Sequence, residues 1–83
     1  MDIRSLTLFQ HLANTLHFGK TAAACHVSAS TLSRSIQRIE EQLGSQLLIR
    51  DNRSVILTPE GKKLLAYADH QIEQYKSLKS SLN

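Results

Sequence analysis

The chain has 83 residues, ten Lys and Arg against seven Asp and Glu, a formal charge of +3 and one cysteine, Cys25. A single small domain of this length buries roughly 60 to 65% of the surface its unfolded form exposes, and one cysteine closes no internal disulfide, so stability must come from a metal, a partner subunit or close helix packing. The amino terminus Met1-Asp2-Ile3-Arg4 has no signal-peptide core and no run approaches the ~18 apolar residues of a membrane span, so a cytoplasmic chain with no membrane role is expected.

Taken in chain order, Ile3, Leu6, Phe9, Leu12, Ala13 and Leu16 keep helical spacing. They predict a first helix over about residues 2 to 15 with Asp2 as N-cap. Gly19 punctuates the next segment, and Lys20 to Cys25, with its run of alanines, reads as a short second helix whose small side chains admit a close neighbour. His26-Val27 is a tight connection. Ser28 then caps a third helix from Ala29 to Leu43, and Gly44 supplies its C-terminal stop.

The third helix is unusual in composition. Ser28, Ser30, Thr31, Ser33 and Ser35 crowd its start, although Ser and Thr compete with the backbone for hydrogen bonds. Leu32, Ile36, Ile39 and Leu43 nevertheless define one apolar stripe. The opposite face carries Ser30, Arg34, Gln37 and Glu41, with Ser33 and Arg38 on its shoulders. From His17 to Ile39 there are three cations, Lys20, Arg34 and Arg38, and no acid. Arg bonds guanine through O6 and N7, Gln bonds adenine through N6 and N7, and Ser adapts to either. A positive helix start adds affinity for a phosphate. In isolation such a face also fits plain solvation, and it is the surrounding order of elements that favours DNA.

Leu47 to Arg50 and Ser54 to Thr58 are short apolar or β-branched runs flanking the turn-prone Asp51-Asn52-Arg53, which predicts a hairpin. Thr58-Pro59-Glu60 starts the last helix, with Thr as N-cap, Pro in the first turn and Glu at the positive dipole end. That helix is expected to run to the chain end. Along it Gly61, Leu65, Ala68, Ile72, Tyr75, Lys79 and Leu82 step alternately by four and three, with Leu64 and Leu78 widening one flank. This seam reads either as a dimerisation face, through Leu65, Ala68, Ile72, Tyr75 and Leu82, or as packing back on the domain.

Three helices and a hairpin make a winged helix-turn-helix, so the fold class is mainly α: a DNA-binding unit over residues 1–58 followed by a long linker and dimerisation helix over 59–83. Its third helix would lie in the major groove, and Arg53 at the wing tip would reach backbone or an adjacent minor groove. An enzyme is a weaker reading. Cys25, His11, His17, His26 and His70 show neither C-x-x-C nor H-x-x-x-H spacing, Cys25 belongs in an Ala-rich packed helix, and no phosphate loop or paired carboxylates appear, so no catalytic residue, metal or cofactor is expected. A protein-binding winged helix would need an apolar outward face, and an RNA binder would need an aromatic platform. The third helix offers neither.

Residues 18–65, FGKTAAACHVSASTLSRSIQRIEEQLGSQLLIRDNRSVILTPEGKKLL, resemble the amino-terminal domain of LysR-type transcriptional regulators. The likeness rests on the recognition-helix pattern S-x-S-x-L-S-R-x-I-x-x-[LI]-E, the wing entry L-G-x-x-L-[LF]-x-R and the linker start L-T-x-x-G. With the HLA and HFG segments of the first 20 residues it covers nearly the whole chain. HVSASTLSRSIQRIEEQLG and RDNRSVILTPEG are most similar to the branch that activates the acetohydroxy acid isomeroreductase gene of isoleucine-valine biosynthesis. The resemblance implies a homodimer joined through the linker helix on double-stranded DNA, at an interrupted inverted repeat of T-N11-A type. It implies base and backbone contacts at Ala29, Ser30, Ser33, Arg34, Arg38 and Arg53. With the residues read directly, the expected DNA-binding set is Ser28, Ala29, Ser30, Thr31, Ser33, Arg34, Gln37, Arg38, Arg50 and Arg53. Arg50 is divided between a phosphate contact and an ion pair with Asp51 or Glu40. Ala29 stands where many members have Gln or Pro, and Leu48-Ile49 replaces a commoner Phe-x, which would loosen packing under the wing. Family members continue into an effector-binding domain, so a small-molecule inducer, acetolactate or acetohydroxybutyrate if the narrower likeness holds, is expected only for that absent part.

Overall fold

The computed structural model describes residues 1–82. Its elements are α1 (Ile3–Thr15), α2 (Phe18–Ala24), α3 (Ala29–Leu43), β1 (Leu48–Arg50), β2 (Val55–Leu57) and α4 (Pro59–Ser81). The expected continuation of the last helix to the chain end lies, at Asn83, outside the described residues.

Capping side chains set most boundaries. Asp2 accepts the Ser5 N–H at 2.8 Å and Ser28 accepts the Thr31 N–H at 3.0 Å, each satisfying a donor that a helix start leaves open. Gly44 closes α3 in the left-handed conformation, at φ 64°. The second helix starts earlier than expected. His17, not Gly19, marks its boundary: the His17 Nδ1 accepts the Lys20 N–H at 3.0 Å, so Gly19 lies within the first turn of α2. Leu16, with φ 54°, ends α1 in the role usually taken by glycine. The turn of the helix-turn-helix is a Schellman ending, with His26 left-handed and the N–H groups of His26 and Val27 donating to the carbonyls of Ala23 and Ala22.

One core joins all four helices to the hairpin root, with Phe9, Leu12, Leu32 and Ile39 fully or almost fully buried. Thr21, also buried, pairs its hydroxyl with that of Thr15 at 2.7 Å, so α1 and α2 are tied without an orphaned polar group. The antiparallel strands pair Leu48 with Leu57, Ile49 with Ile56 and Arg50 with Val55. Alternation turns Leu48 inward, where it is buried under the wing, and leaves Ile49 and Ile56 exposed. At the root the Thr58 hydroxyl donates to the Gln46 carbonyl and accepts the Gly61 N–H, while the Thr58 N–H donates to the Leu47 carbonyl. Strand exit and helix entry are thereby fixed at one residue.

Two parts of the apolar patterning are corrected. Leu43, the last member of the α3 stripe, is 44% exposed because the helix runs past the core in its final turn. On α4, Ala68 and Ile72 are buried against the chain's own core, with Gly61 and Leu64, as the helix lies along α1. Their side chains are covered within this chain, which leaves Leu65, Tyr75 and Leu82 as the accessible members of the expected dimerisation set. The core therefore crosses the 58–59 boundary. Leu65 is half-buried, and Tyr75, Leu78 and Leu82 are exposed where α4 runs beyond α1.

Candidate nucleic-acid interface

The outer face of α3 is presented as its spacing requires. With Leu32, Ile36 and Ile39 facing the core, Ala29, Ser30, Thr31, Arg34, Gln37 and Arg38 are exposed and Ser33 is half-buried. The two hydroxyls at the helix start are tied together: Ser28 Oγ accepts the Thr31 N–H and donates to Thr31 Oγ1 at 2.9 Å. Ser28 is thereby committed to the cap, while Thr31 retains its own proton for an outward acceptor.

Neighbouring elements form two walls beside this face. On one side Ser33 and Gln37 line a groove with Phe18, Gln46, Ile49 and Arg50, so the hairpin stands against α3. Arg50 bridges the parts. Its guanidinium lies 4.3 Å from the centroid of the Phe18 ring and its Nη1 donates to Ser33 Oγ at 3.4 Å. The expected ion pair of Arg50 with Asp51 or Glu40 is not the arrangement found. The Glu40 carboxylate accepts the Leu47 N–H at 2.8 Å, and Asp51 Oδ1 accepts the N–H groups of Arg53 and Ser54 and the Ser54 hydroxyl. Those bonds, the Arg53 N–H first and the Ser54 N–H next, hold the Asp51 carboxyl below its usual range. They also close the wing tip and leave the Arg53 side chain exposed beyond it.

On the other side Thr31, Arg34, Ser35 and Arg38 line a groove with Asp2, Arg4, Ser5 and Leu8 from the start of α1. In the sequence Arg4 is a single charge on the first helix with no role attached to it. Only the packing of α1 across α3 brings it beside Arg34 and Arg38. Phe18 is no more legible in the sequence, because its partner Arg50 is distant in the chain and an apolar residue at a helix start reads as core.

The remaining sequence candidates are not gathered into a second centre. Cys25 is half-buried against the core, and among the described residues no group of three or more His, Cys, Asp or Glu side chains is placed to hold a metal. No described helix is long and apolar enough to cross a membrane.

Comparisons with known proteins agree with this architecture. The pattern of bacterial regulatory helix-turn-helix proteins of the lysR family matches residues 3–62. The transcriptional activator IlvY of Salmonella typhimurium is 52% identical over all 83 residues, and the regulator IlvY of Escherichia coli 51%; the chain spans 28% of the length of each. Among solved structures, the BenM DNA-binding domain in complex with catB site 1 DNA is similar with a TM-score of 0.93 and 35% identity, over 99% of this chain and 91% of that one. Full-length OxyR of Pseudomonas aeruginosa gives a TM-score of 0.93 at 34% identity, over 99% of this chain and 28% of that one. The chain belongs to the lysR family of bacterial regulatory helix-turn-helix proteins and has the winged helix-turn-helix fold of that family's DNA-binding domain.

Proposed function

We propose that this chain is the operator-reading part of a LysR-type regulator of branched-chain amino-acid biosynthesis, acting in the cytoplasm as a homodimer on double-stranded DNA. The observation that carries the reading is the outer face of α3, polar throughout and walled by arginine-bearing elements on both sides. The IlvY relatives support the pathway, and the likeness to DNA-bound BenM supports the docking mode.

In this reading α3 enters the major groove by its amino end. Ser28 caps the helix start and Thr31 donates its free hydroxyl proton to a phosphate there, and Ala29 and Ser30 approach the base edges closely because their side chains are short. Arg34 and Gln37 are long enough to read guanine and adenine, Arg38 takes backbone, and Arg53 extends the contact from the wing. Arg50 has two tasks. It holds Ser33 through the bond to Oγ, which leaves the Ser33 hydroxyl proton to donate to DNA, and its charge lies near the same backbone. Residues 1–58 supply these contacts and residues 59–83 link and pair the protomers, with Leu65, Tyr75 and Leu82, joined by the exposed Leu78, as the dimer face. Two readers related by a dyad match an interrupted inverted repeat of T-N11-A type. Nothing in the proposal requires a catalytic group, and an inducer would bind a domain beyond this chain.

Selection of bound duplexes from a random pool tests the reading, with symmetric half-sites as the expected product. Arg34→Ala should then cost about 1 to 3 kcal/mol on the selected duplex and flatten preference at one base pair per half-site. Equal losses on selected and random DNA would make Arg34 a phosphate contact, and a pool with no enrichment would remove the DNA reading.

A further inference from the structure

We propose that Arg4, at the start of α1 and outside the helix-turn-helix, is a DNA backbone contact that grips the phosphate strand opposite the one met by the wing. The inference rests on the reading of α3 as a major-groove helix and extends it to a residue that neither the motif nor the wing contains.

Dimensions decide what can touch DNA beside the inserted helix. The major groove is about 12 Å wide, and a helix with its side chains about 10 to 12 Å across, so a helix lying in the groove brings the elements on both its flanks against phosphate strands. On the wing flank those elements carry Arg50 and Arg53. On the other flank the wall is the first turn of α1, and the cation it carries is Arg4. All three arginines of that groove, Arg4, Arg34 and Arg38, are exposed. Their single acidic neighbour is Asp2, whose carboxylate is bound to the Ser5 N–H at 2.8 Å, so the groove keeps a positive excess.

Position separates Arg4 from the other two. Arg34 and Arg38 ride on the inserted helix and follow its outer face. Arg4 is on a different helix, whose start is held because Asp2 caps α1 and the buried Leu8 seats it on the core one turn after Arg4. A cation carried on the wall of the groove meets phosphates before bases. Its contribution is therefore independent of sequence and releases counterions.

The test measures affinity against salt concentration for the wild-type chain, Arg4→Gln and Arg4→Lys, on a random-sequence duplex and on a duplex selected by the wild type. Arg4→Gln should weaken both complexes by the same factor and flatten the plot of log K against log salt by about 0.9 per bound protomer, while Arg4→Lys keeps the slope. Thermal melting of the free variants should match wild type, since the side chain is exposed. Methylphosphonate substitution, one phosphate at a time, should find a position that weakens the wild type and leaves Arg4→Gln unaffected. An unchanged slope, a loss confined to the selected duplex, or the absence of such a phosphate would each overturn the assignment while leaving α3 as the reader. A wild-type chain with no preference among duplexes would instead remove the reading on which it rests.

Discussion

The two sides of this molecule are held by different kinds of interaction. Away from the α3 outer face, α1, the first part of α4 and the hairpin root share a core in which Phe9, Leu12 and Leu47 are almost without exposure. Along the α3 start and the wing tip, order comes from short hydrogen bonds between exposed groups: Ser28 with Thr31, and Asp51 with Arg53 and Ser54. Long-range apolar packing places the interface, and local polar capping decides what it presents. Substitutions on the first side should therefore change stability, and those on the second should change recognition while the fold persists.

The strongest challenge to that division is Gly61→Ala. A Cβ at Gly61 would land on the Leu47 carbonyl oxygen, with the Leu57 Cδ2 a further 3.1 Å neighbour. That carbonyl cannot easily retreat, because it accepts the Thr58 N–H at 3.0 Å in the bond that fixes the root. Overpacking against backbone belongs at the upper end of its usual range, about 3 kcal/mol, and the gain of about 1 kcal/mol from replacing glycine in a helix offsets only part of it. Urea unfolding should show a lowered midpoint. A midpoint unchanged from wild type would mean that the hairpin root is looser than its packing implies.

This glycine also marks where the sequence was and was not legible. Caps were readable because each is a local rule: Asp2, Ser28, Thr58 and Gly44 act on backbone within a few residues, and all four stand where expected. The α2 boundary failed because His17 performed a task more often given to Ser or Asp, so Gly19 looked like the break. The α4 seam was legible only in part. Its period correctly marked an apolar face, but periodicity carries no information about which neighbour covers that face, and α1 covers the part through Ile72. Of the candidate interface, the residues of α3 and the wing tip were legible from the motif. Arg4 and Phe18 were not, because their relevance comes from contacts between elements far apart in the chain.

The break along α4 supplies a sharper version of the same comparison, with effects on stability of similar size. Ile72→Ala removes a buried side chain and should cost about 2 to 4 kcal/mol in urea unfolding, whether or not the chain is dimeric. Leu78→Ala, further along the same helix and 55% exposed, should change monomer stability by less than about 0.5 kcal/mol. Its effect should appear in sedimentation as weaker self-association. Should Leu78→Ala leave association intact while Ile72→Ala abolishes it without unfolding the chain, the division between the two parts of α4 would be reversed.

The smallest effect lies at the wing tip, where the polar half of the comparison can be tested by acid. Asp51 is held as an acceptor first by the Arg53 N–H and next by the Ser54 N–H, and its carboxyl titrates below the ordinary value of 3.8. A depressed folded value means that the ionised form stabilises the folded tip. That contribution is fully present above the unfolded value and is lost as pH falls through the lower, folded one. The amides of Arg53 and Ser54 should therefore shift together in a titration with a midpoint under 3.8, while core amides such as that of Ile36 stay fixed. Asp2 should behave likewise at the start of α1, with the Ser5 amide as its reporter. At neutral pH, Asp51→Ala should weaken DNA binding with little change in melting, because it frees the turn that carries Arg53 and leaves the hairpin root alone. If the two wing amides titrate at 3.8 or above, the carboxylate does not hold the tip, and the order there must come from the strands instead.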